Sequence, residues 1–384
     1  MTTQPVPPDR AVLVTPAGQR IAFVLGLATG GTASHVIALA AGCRAAGLTV
    51  SVLGPPPTLA LFGDDVDTVA VRITDRPRPA RDAAAIAGLR AALAREHPAV
   101  VHAHGVRAGA FAALAIATLP GVRPALVITV HNAPPDGRAT RLVYGVLEGI
   151  CARRADLVLC ASADLLARMR GRRATAEQFD VPAPPASPPT AADVARARAD
   201  VGGGDRPVVL AVGRLAPQKG LDVLIDAAVR WRARDPRPRT VIAGEGPLAA
   251  VLRAQARQSG ADVELLGARR DVPALLAVAD VVVVPSRWEA RALILQEAMR
   301  AGRPIVATSV GGTPELTGPD GAILVPAGDP GALAAAVTAV LDDTALAARL
   351  GAAARARSAG FPSQDHAIAA VLACYARLSN ARRR

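Results

Sequence analysis

The fold of this chain is decided by residues 281–308, VVVVPSRWEARALILQEAMRAGRPIVAT. The run Val281–Val284 is β-branched throughout and does not alternate with polar residues, which is typical of a strand buried on both faces of a parallel sheet. Residues 293–300 favour a helix, Gly302 follows as its stop signal, and a second apolar run occupies 305–307. We therefore predict a strand, a loop, a helix and a second strand in succession.

The loop of this unit carries two carboxylates. Glu289 lies in the loop, and Glu297 lies about one turn into the helix. Open α/β sheets bind ligands outside the carboxyl ends of their strands, and free N–H groups at a helix N-terminus attract phosphate. A carboxylate at such a place suits the hydroxyl groups of a sugar better than the phosphate itself. Taken alone, the pair is explained more simply by two solvated glutamates, so its meaning depends on the rest of the chain.

Length and composition limit the function classes. A chain of 384 residues is longer than one core usually holds, so two domains are expected. Aromatic residues make up only 2% of the chain, which argues against the base-stacking platforms of single-stranded nucleic-acid binders. The net charge of +12 is compatible with an anionic membrane surface, with nucleic acid or with small anionic substrates, and also with nothing more than codon composition.

Cysteine spacing and the N-terminus bear on location. The four cysteines show no Cys-x-x-Cys spacing, which predicts neither a zinc site nor a disulfide framework and fits a reducing cytoplasm. Residues 1–10 lack the basic and apolar regions of a signal peptide, and the longest apolar stretches fall short of the ~20 residues that span a bilayer. We expect a cytoplasmic protein, with contact at the inner face of a membrane left open.

Strands and helices are predicted to alternate in two series. Strands are expected at 21–25, 49–53, 68–71, 100–102, 126–130 and 157–160, and then at 208–212, 240–243, 263–266, 281–284, 305–307 and 322–325. The proline-rich stretch 181–189 predicts an extended linker between the series, followed by a short helix at 191–199. Later helices are expected at 331–356 and 363–378. The alternation predicts an α/β fold of two doubly wound Rossmann-like domains facing each other across a cleft.

Glycines and cations follow several predicted strands. Residues 26–32 form a glycine-rich turn that contains Gly30 and Gly31, an arrangement that can cradle phosphate but also serves as an ordinary tight turn. Arg214 and Lys219 follow the strand at 208–212, where they could clamp a diphosphate or simply be solvated surface cations. The next two strands are followed by the glycine turn at 244–247 and by Gly267 with two arginines at 269 and 270. Together with the glutamate loop, these strand ends indicate an anionic, sugar-bearing ligand.

Four motifs in the second half resemble those of the retaining glycosyltransferases with the GT-B fold, the large family four. They are GRLAPQKG at 213–220, GEGP at 244–247, E-x7-E followed by AM and GRPIVAT at 289–308, and GGTPE at 311–315. The resemblance is dense over 208–330 and looser over 20–165. It implies an acceptor-side N-terminal domain over 1–190, completed by a C-terminal helix at 363–384, and a C-terminal donor-binding domain over 191–362.

The resemblance also implies roles for individual residues of the second domain. Arg214 and Lys219 would hold the diphosphate, Glu297 would hold the ribose hydroxyls, and Glu289 would contact the donor sugar as a catalytic residue. Further donor contacts would come from Gly244, Glu245 and the backbone N–H groups of Arg291, Ala292 and Leu293. The sequence Ala-Arg-Ala at 290–292 departs from the usual Gly-Phe-Gly, which adds a cation to the donor pocket and removes backbone freedom.

In the first domain the resemblance implies two contacts with the donor. Gly30 and Gly31 would close onto the diphosphate, and His131, at a strand end, would contact the donor sugar near its reacting carbon as a catalytic residue. His102 and His104 also lie at a strand end, where we expect them to alternate in side, so that at most one faces the cleft. His104 is the acceptor-side candidate, ahead of His35. No carboxylate cluster supports a metal site among these histidines.

The predicted activity is transfer of a hexosyl group from a UDP- or GDP-sugar to an acceptor hydroxyl, with retained configuration. No metal and no cofactor are expected beyond the nucleotide-sugar co-substrate. The acceptor is left open among lipids, small molecules and glycans, contact with an anionic membrane is allowed, and no nucleic-acid partner is expected. Two alternatives stay open: a sugar-nucleotide epimerase or phosphorylase on the same fold, and a non-catalytic nucleotide-sugar-binding protein.

Overall fold

The computed structural model describes residues 18–28, 30–74, 77–134, 137–202 and 204–382, and within them it contains two all-parallel sheets of seven and six strands. Helices connect successive strands in each sheet. Parallel pairing needs a crossover for every connection, so the helices cover both faces and the central strands are buried. The predicted α/β fold of two doubly wound Rossmann-like units is confirmed.

The first sheet comes from the N-terminal half of the chain. Its strands are β1 Arg20–Leu25, β2 Thr49–Gly54, β3 Asp67–Ala70, β4 Val100–His104, β5 Ala125–Val130, β6 Leu157–Cys160 and β7 Ala176–Gln178. The helices that accompany them are α1 Gly31–Ala45, α2 Pro56–Leu59, α3 Pro79–Glu96, α4 Val106–Ala117, α5 Arg138–Arg154 and α6 Ala163–Arg170. The strand order β3-β2-β1-β4-β5-β6-β7 reverses between β1 and β4, which is where open α/β sheets bind ligands.

The second sheet follows helix α7 Ala191–Asp200. Its strands are β8 Val208–Val212, β9 Arg239–Ala243, β10 Val263–Gly267, β11 Val281–Val284, β12 Ile305–Thr308 and β13 Ile323–Val325. The later helices are α8 Leu221–Val229, α9 Ala249–Ser259, α10 Val272–Val278, α11 Leu293–Arg300, α12 Thr313–Thr317, α13 Pro330–Asp342, α14 Thr344–Ser358 and α15 Gln364–Ala381. The order β10-β9-β8-β11-β12-β13 reverses between β8 and β11. The unit predicted at 281–308 is confirmed as β11, α11 and β12.

The segment between the two sheets, residues 179–190, has no regular secondary structure, as its prolines predict. The side chain of Gln296, completely buried on α11, nevertheless holds it in place. Gln296 Nε2 donates to Val181 O at 3.0 Å, and Gln296 Oε1 accepts from Ala183 N at 3.0 Å. The linker is therefore attached to the second unit through both hydrogen-bonding groups of one amide.

Two strand predictions need correction. Strand β7 was not predicted, because its three residues, AEQ, show no apolar pattern and lie at the edge of the sheet. Strand β4 does not end at His102 but continues to His104, which lies opposite Thr129 of β5. The extension matters because it places both histidines in regular strand geometry.

The single helix predicted at 331–356 is wrong. The chain forms α13 and α14 instead, which are bent by 102° where they meet. Asp343 separates them, and its Oδ1 accepts a hydrogen bond from Leu346 N at 2.9 Å. An aspartate that caps a new helix in this way competes with continuation of the old one. Apolar spacing alone did not show the break.

Helix α15 returns to the first unit. It packs on α1, and its Tyr375 is completely buried in the core around the first sheet. Among the residues that the structure describes, no single helix is both long and apolar enough to cross a membrane. The bent pair α13 and α14 meets the length and composition of a span only when the two helices are taken together.

Candidate active site

The turns that follow β8 and β9 are joined by backbone hydrogen bonds. Gly213 N donates to Ala243 O at 2.9 Å, and Leu215 N donates to Glu245 O at 2.8 Å. The two glycine turns therefore form one continuous surface at the carboxyl edge of the second sheet. This is the surface on which the sequence predicts the diphosphate and sugar contacts.

The backbone requires glycine at position 244. Its φ is +146°, and a Cβ there would overlap the carbonyl oxygen of Gly213. The turn after β9 can lie this close to the turn after β8 only because residue 244 has no side chain. Glu245, next to it, is exposed to solvent above this surface.

Lys219 and Glu289 form an ion pair at the same edge. Lys219 Nζ lies 2.5 Å from Glu289 Oε1, and Ser286 Oγ donates to the same oxygen at 2.6 Å. Glu289 is buried, and these charge-assisted bonds offset the cost of removing its carboxylate from water. The resemblance implied separate roles for the two residues, whereas here they neutralise each other, so a ligand must compete with the pair or extend it.

The loops that carry this pair are joined to each other. Gln218 Nε2 donates to Trp288 O at 2.8 Å, and Arg287 N donates to Gln218 O at 2.7 Å. Each bond links Gln218, the residue before Lys219, to a residue one or two positions before Glu289. The geometry of the ion pair is therefore set by contacts between the two loops as well as by the attraction of its charges.

The first turn of α11 is open to an anion. The helix has no side-chain cap, and no acceptor among the described residues binds the backbone N–H groups of Arg291, Ala292 and Leu293. Free N–H groups at a helix N-terminus favour phosphate. The side chain of Arg291 behaves differently: it is only 10% exposed and its guanidinium lies 2.6 Å from Asp180. The expectation that Arg291 adds a cation to the donor pocket is therefore corrected, because that charge is already paired.

The alanines of this loop are accommodated without strain. Ala290 and Ala292 are buried, and neither has a positive φ; Ala292 lies at φ −63°. The glycine requirement falls on the facing loop instead. Gly311 has φ +50°, and a Cβ there would overlap the carbonyl oxygen of Glu289. The loop therefore does not need the backbone freedom that its departure from Gly-Phe-Gly removes.

Two charged side chains at this edge are not paired. Glu297 is half-buried on α11, and desolvation raises the pKa of its carboxyl above the ordinary value, although the charge of Arg300 opposes this. No ion pair holds Glu297 or Arg214 within the part of the chain that the structure describes, and Arg214 is exposed. A half-buried carboxylate of this kind gains from hydroxyl donors such as those of a ribose.

The first unit reaches this edge through the turn after β1. A Cβ on Gly31 would lie 2.9 Å from Leu293 Cδ1, so the turn contacts the start of α11. Around Gly30, by contrast, there is open space. Trp288 Nε1 donates to Asp164 at 3.1 Å and adds a second contact between the units. Gly31 and Leu293, two of the implied donor contacts, are thus brought together from opposite sides of the cleft.

A cluster of buried histidines lies at the carboxyl ends of β4 and β5. His104 Nδ1 is 3.0 Å from His131 Nε2, and the ring centroid of His35 lies 5.9 Å from His104 and 5.7 Å from His131. His102 completes the cluster and bonds to Tyr375 of α15, with 2.6 Å between its Nδ1 and the hydroxyl. His131, the implied contact of the donor sugar, is therefore part of a larger group.

The expectation that His102 and His104 alternate in side was wrong. Residues two apart in a strand lie on the same face, and the two ring centroids are 4.2 Å apart. His104 is also buried, at 4% exposure, and its nearest polar partner is His131. The structure thus brings the acceptor-side candidate against the catalytic candidate.

Burial keeps these imidazoles neutral. It lowers the pKa of His131 to about 4 and that of His102 to about 3. The pKa values of His35 and His104 are also well below the ordinary range, through burial first and the neighbouring histidines second. Among the described residues no group of three His, Cys, Asp or Glu side chains could hold a metal ion.

Sequence reasoning missed several residues that shape the site. Ser286 had a signal, because it lies two residues after a predicted strand and three residues before Glu289. Asp180, Gln296 and Tyr375 had none, because their partners come from distant parts of the chain.

Two family models match the chain. The model described as glycosyl transferases group 1 matches residues 206–343, and the model described as glycosyltransferase family 4 matches residues 29–181. The first range covers the second sheet, and the second range covers the greater part of the first sheet.

The curated relatives are transferases. An alpha-D-kanosaminyltransferase from Streptomyces kanamyceticus is 30% identical over 280 residues, which cover 67% of this chain and 72% of that protein. A GDP-mannose-dependent alpha-(1-6)-phosphatidylinositol monomannoside mannosyltransferase from Mycolicibacterium smegmatis is 37% identical over 174 residues, or 42% of this chain and 45% of that protein. These matches do not favour an epimerase, a phosphorylase or a non-catalytic protein.

Solved structures share the fold across nearly the whole chain. HepE from Anabaena, in complex with UDP-glucose, superposes with a TM-score of 0.77 at 22% identity, covering 92% of this chain and 99% of that one. A sucrose-phosphate synthase from Thermosynechococcus elongatus gives 0.79 at 22% identity, covering 94% and 100%. At this identity the likeness concerns the fold, and the expected GT-B fold is confirmed.

Proposed function

This chain belongs to the glycosyltransferases of group 1 and family 4, and we propose that it moves a hexosyl group from a UDP- or GDP-sugar to an acceptor hydroxyl, with retention and without a metal ion. The observation that carries the proposal is the ion pair of Lys219 and Glu289 beside the uncapped start of α11. A cation, a carboxylate and free N–H groups stand together there. Phosphate oxygens and sugar hydroxyls need those three kinds of partner.

The diphosphate would bind to the cationic side of this group. The ammonium of Lys219 would turn from Glu289 to a phosphate oxygen, while Arg214, exposed and without an ion pair within the described chain, would approach from the start of the same loop. The N–H groups of residues 291–293 would bind the remaining oxygens. Negative charge grows on the diphosphate as its bond to the sugar breaks, and donors that are already in place stabilise that charge.

The two glutamates would then bind hydroxyl groups. Once Lys219 has turned to the phosphate, Glu289 would keep its bond from Ser286 and accept a second one from the donor sugar. Glu297, half-buried and with a raised pKa, would accept bonds from the ribose. Each bond would compensate a carboxylate that burial has deprived of water.

Retention would follow from reaction on one face of the sugar. The bond between the anomeric carbon and the diphosphate oxygen breaks, and the bond to the acceptor oxygen forms on the same side. The leaving diphosphate accepts the proton of the acceptor hydroxyl. Support for this route is that Glu289 would keep its bond from Ser286 and accept another from the donor sugar, and a carboxylate engaged in this way is a weak nucleophile for a double displacement. The anomeric configuration of the product, read from its proton coupling constants, tests the assignment.

Metal independence is proposed because Lys219 and Arg214 supply the positive charge that a divalent cation would otherwise bring to the diphosphate. Transfer should then proceed at an unchanged rate after dialysis against EDTA. A rate that is lost with EDTA and restored by Mg²⁺ or Mn²⁺ would overturn this part of the proposal.

The donor class can be found by calorimetric titration with UDP, GDP and ADP, in the absence of metal. We expect UDP or GDP to bind, since one relative is named as GDP-mannose-dependent and one structural neighbour holds UDP-glucose. Glu297→Ala should abolish that binding because it removes the ribose contact. Asp320→Ala, which removes a carboxylate from an exposed position of the same unit, is the control and should bind normally.

The outcomes of this titration test the ribose contact and the donor class separately. Binding that survives in the Glu297 variant would overturn the assigned ribose contact but not the activity. Failure of all three nucleotides to bind the wild type would overturn the proposed donor.

We also propose that α5 rests on an anionic membrane, which would bring a lipid acceptor to the cleft. Leu142 and Val146 of this helix are 73% and 58% exposed, and Arg138, Arg153 and Arg154 are exposed at its two ends. Apolar residues with flanking cations are typical of helices that lie in a membrane interface. In sedimentation with anionic vesicles at low salt, the wild type should pellet with the vesicles, whereas the variant Leu142→Asp/Val146→Asp should stay in the supernatant. A cytoplasmic location stays a prediction.

A further inference from the structure

We propose that His104 is a positioning residue for His131: its Nδ1–H donates to His131 Nε2, so that His131 carries its own proton on Nδ1 and offers a hydrogen-bond donor to the donor sugar. The proposal rests on the proposed function for the identity of the ligand. The arrangement of the protons, however, is a property of the protein alone and can be tested without substrate.

The geometry of the pair supports a direct hydrogen bond. His104 Nδ1 and His131 Nε2 are 3.0 Å apart, and the two rings are inclined by only 17°. A nitrogen–nitrogen distance of this size between imidazoles requires one N–H and one lone pair. The bond occupies Nε2 of His131, so Nδ1 is the nitrogen of that ring left to contact a ligand.

Only two proton arrangements satisfy this bond. Burial lowers the pKa of His131 to about 4 and that of His104 well below its ordinary value, so each ring carries one proton at neutral pH. Either His104 donates from Nδ1, or His131 donates from Nε2. In the first arrangement Nδ1 of His131 is a donor, and in the second it is an acceptor.

The other nitrogen of His104 distinguishes the two arrangements. His104 Nε2 is buried and has no hydrogen-bond partner within the described structure. If His104 donates from Nδ1, this orphaned atom is a lone pair; if His131 donates, it is an N–H. Orphaned N–H groups are rarer in protein interiors than orphaned acceptors. The first arrangement is therefore favoured, and His131 presents an N–H.

The neighbours of His104 fix the orientation of its ring. His102 packs against it, with ring centroids 4.2 Å apart and planes inclined by 31°, and is itself held between the Tyr375 hydroxyl at 2.6 Å and Thr129 Oγ1 at 2.7 Å. His35 meets both rings of the pair edge-on, at angles of 73° and 72°. A ring packed on both sides in this way cannot turn to exchange its nitrogens, so the direction of the hydrogen bond is set by packing.

A neutral donor suits the chemistry proposed for this position. Positive charge develops on the sugar ring in an oxocarbenium-like transition state, and an imidazolium beside it would oppose that charge. A neutral imidazole with its N–H directed at a hydroxyl or ring oxygen orients the sugar without this penalty. The pair with His104 would supply the correct tautomer, just as a second residue orients the histidine of other catalytic groups.

The proton arrangement can be read by nitrogen NMR of the chain labelled at histidine, with no ligand present. Wild-type His131 should show a protonated Nδ1 and an unprotonated Nε2. His104→Leu removes the donor, so the proton of His131 should redistribute between its two nitrogens. A protonated Nε2 on His131 in the wild type would overturn the proposal, whatever the activity of the enzyme.

Kinetics then test the consequence. His104→Leu should lower kcat by about 10- to 100-fold, by analogy with the loss of a hydrogen-bond partner that orients a metal-ligating histidine. Its affinity for UDP or GDP should not change, because none of the assigned nucleotide contacts is made by the histidine cluster. His104→Asn places an amide that can donate near the position of Nδ1, and it should recover a large part of kcat. Equal losses in the Leu and Asn variants would overturn the positioning role.

A matched control separates positioning from stability. Ser51→Ala removes a side-chain hydrogen bond from the same sheet, that of Ser51 Oγ to Glu96, and Ser51 lies outside the histidine cluster. It should lower Tm while leaving kcat and the nitrogen shifts of His131 unchanged. A fall in kcat equal to that of His104→Leu would show that the rate follows stability and not the position of His104, and would overturn the proposal. A wild type that transfers no sugar would refute the proposed function, while the NMR result would still decide the proton arrangement.

Discussion

The two regions that face each other in the cleft contain buried polar groups in opposite charge states. Beside the first sheet, His104 and His131 are kept neutral and bond to each other. Beside the second sheet, Lys219 and Glu289 are drawn together as an ion pair, and Arg291 meets Asp180 in the same manner. The first region can offer hydrogen bonds from neutral groups, whereas the second contains charged groups that are paired with each other until a ligand binds. A sugar that becomes cationic while its leaving group becomes anionic needs both kinds of surface.

The largest effect is expected from removing the cation of the charged region. Lys219→Ala should lower kcat by about 10²- to 10³-fold, because the leaving diphosphate loses a preorganised donor. Arg253→Ala removes the same charge from an exposed position of the same unit and is the control. Steady-state kinetics with the donor found by calorimetry measure both. Similar losses in the two variants would mean that net charge, and not the position of Lys219, governs the rate.

The histidine region should control stability at mildly acidic pH. The folded protein holds His131 with a pKa of about 4, whereas the unfolded chain titrates near 6.5, so the unfolded state binds more protons between these values. Stability is therefore complete above pH 6.5 and falls as the pH drops toward 4, by about 3 kcal/mol from His131 alone. Urea unfolding between pH 7.5 and 4.5 measures the slope.

Two comparisons isolate that slope. His102→Asn removes one buried imidazole and should make the pH dependence shallower, whereas His366→Asn changes an exposed position and should not. Equal slopes in the wild type and in His102→Asn would contradict the assignment of this pH dependence to the buried histidines.

Charged pairs of the second unit affect stability at lower pH. Hydrogen bonds from Arg287 hold the pKa of Asp222 below its ordinary 3.8, so the contribution of this pair to stability is present above that value and is lost as the pH falls below it.

The loop that carries Glu289 lies in close backbone contact with the loop at Gly311, and this contact can be tested. Gly311→Ala places a Cβ against the carbonyl oxygen of Glu289 at a positive φ, so the free energy of unfolding should fall by about 1–3 kcal/mol or more. Gly267→Ala is a matched control, because it also has a positive φ but open space around the Cβ. Chemical denaturation should show the greater loss for Gly311→Ala. A loss no greater than that of the control would mean that the loop moves to accommodate the added Cβ.

The sequence was sufficient to predict which strand ends line this edge, because parallel strands end at one edge of a sheet. It predicted Lys219 and Glu289 after two strands of the second series, and in the structure they follow β8 and β11, which pair with each other. It did not predict their ion pair, since that depends on a loop geometry set by Gln218 and Trp288. Periodicity identifies an edge of a sheet, whereas distances within that edge follow from contacts between separate loops.

For the histidine cluster, one feature was predictable from the sequence but missed, and another could not be predicted from the sequence. The shared face of His102 and His104 follows from the two-residue period of a strand, so that error was avoidable. Their contact with Tyr375 was not predictable, because α15 reaches β4 from 273 positions along the chain. The break at Asp343 is another avoidable error, since aspartate is a preferred N-cap residue and could have indicated a new helix start.

The smallest effect is expected from restoring glycines to the loop that carries Glu289. Because Ala292 has φ −63° and Ala290 also lacks a positive φ, neither position uses a conformation that alanine resists. Ala290→Gly/Ala292→Gly should therefore give no gain in kcat, and it should lower the free energy of unfolding by about 0.5–1 kcal/mol per position through added freedom of the unfolded chain. Kinetics and urea unfolding of this double variant measure both quantities. A rise in kcat of tenfold or more would show that the alanines restrict the loop during the reaction, and the charged region would then owe its rigidity to residues 290–292 as well as to Gly311.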